Sequence, residues 1–391
     1  MTPPARTQAA IEVLDLVIAA AREGGAAADV IVQRYFAARR YAGSKDRRAV
    51  RELVYAAIRV CGERPVTGRA AVLALAADDP ALAATFDGSG HGPAPVAPGE
   101  RAAERGLAPA WLIEALRTSG LDGDELPALV GRAPLDLRVN RLRAAPAEIA
   151  ARLPGAETVP GLPDALRLPA GTDVAPLAGL AEVQDAGSQA VALAARAGPG
   201  QRVVDLCAGG GGKTLALAAA MRNEGSILAT DADRSRLRKL RPRAEAAGVT
   251  IAEARLLDPG RELDALADWR DAADCVLVDA PCSGTGTWRR NPEARWRLTP
   301  ERLRRLVATQ ARLLRVGAAL VRPGGALVHV VCSLLDEEGR GQADAFLAEH
   351  PGWRAEALIL PLGRPHGPGF RLTPARDRTD GFFVARLVRP C

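Results

Sequence analysis

The stretch Cys275 to Trp288, CVLVDAPCSGTGTW, decides how this chain of 391 residues is read. A run of apolar, β-prone residues ends abruptly in Asp279, Pro281 and Cys282 before a Gly-rich turn. Such a run predicts a fully buried parallel strand whose carboxyl end opens into a loop, where α/β sheets place ligands and chemistry. Taken alone, the stretch reads equally well as a strand, a turn and a chance free thiol. Residues 203 to 214, VVDLCAGGGGKT, break the tie with another strand, an acid, and a loop of four glycines leading into a helix.

Outward from these two stretches the pattern is regular. Strands at 202–206, 226–230, 250–256, 274–279 and 325–331 alternate with helices at about 213–222, 233–247, 300–321 and 336–349, which predicts a doubly wound, mostly parallel sheet over residues 182–391. Apolar stretches at 356–361 and 381–388 are expected to add an edge hairpin. Residues 8 to 83 show apolar spacings of three and four, as in Ile11, Leu14, Val17 and Ile18, and later Val50, Leu53, Val54 and Ile58. A helical bundle over 1–86 follows. Residues 87–100, DGSGHGPAPVAPGE, predict a flexible or extended linker. A small α/β domain over 101–181 is read from the amphipathic PAWLIEALRT and the strand-like LDLRV and ALRL.

Composition narrows the class. Apolar residues at 48% and charged residues at 25% are those of a globular protein, and no apolar run is long enough to span a membrane. MTPPARTQAA lacks the basic start and apolar core of a signal peptide, so a cytoplasmic location is expected. The six cysteines form no CxxC pair, which argues against a disulfide framework and against a zinc site. The net charge of +6 is unevenly placed: Ile31 to Val60 holds eight Lys or Arg against two acids, and Gly286 to Leu306 seven Arg against two. Both stretches point to a polyanionic partner.

In a doubly wound sheet the turn after the first strand brings backbone amides and a helix N-terminus against a cofactor. Cys207, Ala208, Gly209, Gly210, Gly211, Gly212 and Lys213 fit that role, with Asp231 at the end of the second strand placed to bind ribose hydroxyls. The competing reading of Asp231 is a helix N-cap before Arg234. A dinucleotide enzyme would use the same loop, but it has no need of Cys282. Methyl transfer to carbon 5 of cytosine does, because that carbon becomes nucleophilic only after a thiolate adds at carbon 6. Asp258, after the third strand, completes the set of acids, and Asp279 is placed to stabilise the electron density that develops on the ring. Cys332, in HVVCSLL, follows the fifth strand and falls on the same sheet edge as Cys282.

With DLCAGGGGKT, DAPCSGTG and VVCSLLDEEG in this order, the chain resembles the Sun/RsmB family of bacterial RNA (cytosine-5)-methyltransferases. LAPAWLIEAL, LRVNRL and VQDAGSQA resemble that family's small RNA-binding domain and its junction with the catalytic domain, and SKDRRAVRELVYAAIRV resembles its NusB-like helical domain, here shortened. The resemblance implies a class I Rossmann-like methyltransferase domain, S-adenosylmethionine as cofactor, and RNA, most simply ribosomal, as substrate. It also implies that Cys332 attacks carbon 6 while Cys282 assists product release, with residues 207–213, Asp231, Asp258 and Asp279 at the cofactor. DNA enzymes of the same chemistry attack from the Pro-Cys loop, so the assignment of the thiols rests on the resemblance. Two departures stand out: Gly209-Gly210 where the family has Ala-Pro, expected to loosen the loop, and Val331 where it has Thr.

Beyond Cys282, TGTWRRNPEARWR interleaves aromatic and basic side chains, a pattern suited to stacking on exposed bases and contacting phosphates. Trp288, Arg289, Arg290, Arg295 and Arg297 are the expected RNA contacts, with Trp296 equally a core residue. A monomer with no metal is expected. The alternatives are a ribosome-assembly factor that keeps the fold without turnover and a nicotinamide oxidoreductase, the latter disfavoured by the cysteine pair.

Overall fold

A computed structural model describes residues 1–391, which form two compact units. The first comprises Met1–Gly131 together with Thr287–Thr299. Its helices are α1 (Pro3–Glu23), α2 (Ala28–Ala37), α3 (Ser44–Val60), α4 (Gly68–Ala76), α5 (Pro80–Ala83), α6 (Ala110–Thr118) and α7 (Glu125–Ala128). The apolar stripe read from the sequence is the core here: Leu14, Val17, Val50, Val54 and Ile58 are buried in one cluster. No helix is long and apolar enough to cross a membrane.

Residues 87–100 have no regular structure, yet they are held against the bundle. Arg69 donates to the carbonyls of Ala94 and Pro95 at 3.0 and 3.2 Å and pairs with Glu100. The stretch is neither helix nor strand but a series of turns, with Gly88 N bonded to Pro93 O and Gly92 N to Ser89 O. The next residues also belong to the bundle, since Ala103 N donates to Ala70 O and Gly106 N to Val60 O. The small domain expected over 101–181 thus divides, its first thirty-one residues, 101–131, falling in the helical unit.

The second unit comprises Arg132–Gly286 and Pro300–Cys391. It opens with a four-stranded antiparallel sheet made of β1 (Leu135–Val139), β2 (Glu157–Val159), β3 (Leu162–Leu168) and β4 (Ala181–Val183) in the order β2-β3-β1-β4, with α8 (Pro146–Ala151) between β1 and β2. After α9 (Ala186–Ala192) comes the main sheet. Its parallel strands are β5 (Arg202–Asp205), β6 (Ser226–Asp231), β7 (Ala252–Leu256), β8 (Ala273–Asp279) and β9 (Val321–Val331). Between them run α10 (Gly212–Ala220), α11 (Arg234–Leu237), α12 (Leu240–Ala247), α13 (Glu262–Ala265) and α14 (Pro300–Leu320). α15 (Arg340–Glu349), β10 (Arg354–Ala355), β11 (Arg364–His366), β12 (Gly369–Leu372), α16 (Pro374–Asp377) and β13 (Phe382–Val388) complete the chain.

The strand order β11-β12-β13-β9-β8-β5-β6-β7 reverses direction between β5 and β8. At such a switch point the loops on either side diverge and leave a crevice at the carboxyl edge. The expected hairpin partner at 356–361 is not a strand. Leu358 and Leu360 bury themselves as irregular chain against the core, and β13 pairs instead with β9, β12 and the short β10.

Candidate active site

Two thiols meet at the crevice. Cys282 follows β8, Cys332 follows β9, and because the strands are parallel neighbours their loops leave the same edge. The two Sγ atoms lie 3.4 Å apart, within S–H···S hydrogen-bonding distance. Contact with Cys332 and burial push the Cys282 thiol well above its ordinary value.

Beside the thiols, Lys213 Nζ lies 2.6 Å from Asp279 Oδ2. Burial alone would lower the ammonium, but the Asp279 carboxylate holds it above its ordinary value. Lys213 therefore turns away from the glycine loop that precedes it and joins Asp279 as a fixed ion pair. The ammonium also lies 5.7 Å from the centre of the Phe382 ring.

The loops carrying the thiols are locked from beneath by a side-chain network that sequence reading missed. Fully buried Glu338 accepts from Ser283 N at 2.8 Å, from the Ser283 hydroxyl, and from Gln310 Nε2 at 2.9 Å. Gln310 Nε2 also donates to Pro281 O, while Ser333 Oγ contacts Ser283 Oγ and Thr285 Oγ1 at 3.0 and 3.1 Å. Gly286 N donates to Cys332 O at 3.0 Å, and a Cβ at Gly286 would sit 2.1 Å from Gly381 O, so this close approach admits only glycine. A signal existed in the sequence: Gln310 interrupts the apolar stripe Leu303, Leu313, Leu314 of α14, and a polar residue on a buried helix face implies a buried partner. Glu338→Gln places an amide N–H against donors that now point at a carboxylate. We expect about 2–3 kcal/mol lower stability in denaturant titration.

The cofactor loop is firmer than its glycines suggest. Gly209 N donates to Asp231 Oδ2 at 2.8 Å, and Arg243 holds the Gly210 carbonyl while pairing with Glu182 at 2.6 Å. Gly211 has φ +86°, and a Cβ there would collide with Leu240, which ties the turn to α12. Asp231 does not cap a helix. Asp233 does, accepting from Ser235 N and Arg236 N, whereas Asp231 accepts from Gly209 N and Asp233 N at the edge of the crevice. Leu257 N bonds Asp231 O, which brings exposed Asp258 to the neighbouring loop. Cys207 and Ala208 are half-buried at the start of the glycine loop. Beneath it, Asp205 accepts from Thr214 Oγ1 at 2.7 Å, its other oxygen has no partner, and burial pushes its carboxyl up to about 7. Uncapped α10, the open side of Gly212, and acids at the ends of successive strands fit a nucleoside cofactor.

The basic, aromatic segment belongs to the first unit. Within the first unit Trp288 and Trp296 are buried, at 1% and 5% exposure. Arg295, wholly buried, donates to the carbonyls of Ile58, Arg59 and Cys61 at 2.7, 3.2 and 2.9 Å, closing the carboxyl end of α3. Arg297 does the same for α1, reaching Ala20, Gly25 and Ala26 carbonyls at 3.2, 2.8 and 2.6 Å. Unsatisfied carbonyls and the negative end of the helix dipole both favour a cation there. The expectation that Trp288, Arg295 and Arg297 contact RNA is therefore corrected: they are framework. Arg289 is also buried, and Arg290 is half-buried.

A family model described as 16S rRNA methyltransferase RsmB/F matches residues 190–388. The chain belongs to the RsmB/F family. Its membership makes S-adenosylmethionine the cofactor. The chain is 36% identical over 301 residues to a probable ribosomal RNA small subunit methyltransferase B of Synechocystis sp. and 37% identical over 296 residues to ribosomal RNA small subunit methyltransferase B of Xanthomonas campestris. Each alignment covers 72% of this chain and 66% of the relative, so the chain spans just under two thirds of these curated relatives. Among solved structures, PH0851 superposes with TM-score 0.77 at 26% identity over 99% of both chains, and a methyltransferase homologue from Pyrococcus horikoshii with TM-score 0.60 at 26% identity over 72% of this chain and 99% of that one.

Proposed function

We propose that this RsmB/F-family protein transfers a methyl group from S-adenosylmethionine to carbon 5 of a cytosine in RNA, most simply ribosomal RNA, through a covalent adduct. What carries this reading is the pair of thiols 3.4 Å apart at the ends of β8 and β9, beside the Lys213–Asp279 pair. S-adenosylmethionine supplies an electrophilic methyl group when bound. Asp231 and Asp258 hold its ribose side, and the 207–212 loop its flank. Cys332 attacks cytosine carbon 6, Asp279 and Lys213 fix the charge that develops on the ring, and Cys282 acts when the enzyme is released. The attack is given to Cys332 on the resemblance of VVCSLLDEEG and DAPCSGTG to the family's two thiol motifs, and the 3.4 Å contact lets Cys282 exchange a proton with its neighbour. The assembly-factor alternative drew its motive from a loosened cofactor loop, and the bonds of Arg243 and Asp231 to that loop weaken it.

The decisive test maps 5-methylcytosine in total RNA from cells with and without the gene. A site lost on deletion and restored by the intact gene, but not by a Cys332→Ala copy, supports the reading; an unchanged map sinks it. For the cofactor, Asp231→Ala is expected to weaken S-adenosylmethionine binding roughly tenfold in calorimetry, with little change in melting temperature. An unchanged dissociation constant leaves Asp231 as a loop-fixing residue only.

RNA is assigned to the other basic stretch. Arg40, Lys45, Arg48 and Arg51 are exposed on and around α3, next to a Tyr41 ring that is 75% exposed. Arg48→Glu with Arg51→Glu is expected to weaken RNA binding and to lower the slope of log affinity against log salt by about 0.7–0.9 per lost phosphate contact, with S-adenosylmethionine binding unchanged. A salt slope equal to that of the unmodified protein removes these residues from the interface.

A further inference from the structure

The small antiparallel sheet carries a buried cation that no carboxylate holds. Arg138, in β1, is 5% exposed, and its single hydrogen bond runs from Nε to Gln184 Oε1 at 2.7 Å. Its two terminal nitrogens have no acceptor in the protein and keep some contact with solvent, so a ligand can reach them. The acids nearest in charge are engaged elsewhere, Glu182 with Arg243 at 2.6 Å and Asp164 with Arg141 at 3.6 Å. Three guanidinium groups thus share two carboxylates. Burial pushes the Arg138 guanidinium down to about 10, only partly countered by Glu182 and Asp164, and a cation buried in this way is costly unless an anion joins it.

Gln184 also faces the cofactor loop. Its Nε2 lies 4.0 Å from where a Cβ on Gly212 would stand, at the first residue of α10. That helix has no side-chain cap, and the first amide bonded within it is that of Leu215, to Gly211 O. Gln184 is itself fixed through Nε2 to Ser188 Oγ at 3.3 Å. A buried, unpaired guanidinium and an open helix N-terminus therefore flank one glutamine, and both favour negative charge.

We propose that Arg138, oriented by Gln184, and the first turn of α10 form an oxyanion site, taking either the carboxylate at the amino-acid end of the cofactor or a phosphate of the RNA. Arg138 supplies a planar fork suited to both. The proposal rests on the methyltransferase reading above and adds to it a residue from outside the catalytic sheet.

The test titrates unmodified protein and Arg138→Gln with three probes: S-adenosylhomocysteine, 5′-methylthioadenosine, which lacks the carboxylate, and a 16S rRNA transcript. If the anion is the cofactor carboxylate, the substitution weakens S-adenosylhomocysteine roughly ten- to hundredfold and leaves methylthioadenosine unchanged. If it is an RNA phosphate, both nucleosides bind as before while RNA binds more weakly and the salt slope drops by about one contact. Three unchanged affinities overturn the site and leave Arg138 a core residue. Should Arg138→Gln fail to fold, Arg138→Lys keeps the charge without the fork, and the same titrations decide. Unmodified protein that binds neither nucleoside would instead overturn the methyltransferase reading, a result distinct from affinities that survive the substitution.

Discussion

Cys332→Ala is expected to abolish both methylated RNA and any protein–RNA adduct, lowering turnover by a factor on the order of 10⁴ or more, while Cys282→Ala accumulates a methylated complex that survives denaturation. The two outcomes differ because, on the proposed pathway, the thiols act at different points. The Cys332 thiolate adds to carbon 6, and carbon 5 gains the electron pair that then takes the methyl group. Loss of the carbon 5 proton and expulsion of the thiolate regenerate the ring and the enzyme. Without Cys332 the first bond never forms. Without Cys282 the bond forms but its breakage slows, since the neighbour that lies 3.4 Å from the departing sulfur is gone. Incubation with S-adenosylmethionine and RNA, followed by denaturing electrophoresis, separates the cases. An adduct that forms with Cys332→Ala and vanishes with Cys282→Ala reverses the assignment.

Arg295→Ala is expected to destabilise the helical unit by about 3 kcal/mol or more, a larger effect than any loss of RNA contact would produce. The substitution strips a charged donor from the carbonyls of Ile58, Arg59 and Cys61 and leaves them buried. It also removes the packing of the guanidinium over Trp296, 5.9 Å from the ring centre. Thermal unfolding followed by far-ultraviolet circular dichroism would show a lower midpoint. A variant with unchanged melting and weaker RNA binding would restore the segment to the RNA interface.

What was legible in the sequence follows from how local each signal is. Strands β5, β6, β8 and β9 are short apolar runs ending in a polar break, and they fall within a few residues of expectation; so do the glycine loop and the thiols at their ends. Helix α15 begins at Arg340 rather than 336 because residues 333–338 are engaged in the network under the thiols, a constraint that no periodicity reports. The sequence also showed Arg295 and Trp296 as a basic, aromatic cluster, which is how an RNA platform and a helix-end clamp both look in one dimension. Their partners, the ends of α1 and α3, lie more than two hundred residues upstream. The division at 131 was hidden for the same reason, since it depends on which neighbour Ala103 and Gly106 find rather than on composition.

The contribution of residues 287–299 to the first unit sets an order on synthesis. As the chain leaves the ribosome, α1 to α4 emerge early, yet the core they share with Trp296 lacks that ring until most of the second unit has been made. Until then the carboxyl ends of α1 and α3 present bare carbonyls and an unfilled apolar hollow. Contacts of such sequence separation are slow to close and leave intermediates open to misassembly. The core of the amino-terminal helices accordingly closes only after residue 299 has been made although those helices are translated first, and a fragment ending at Gly131 is expected to remain loosely packed.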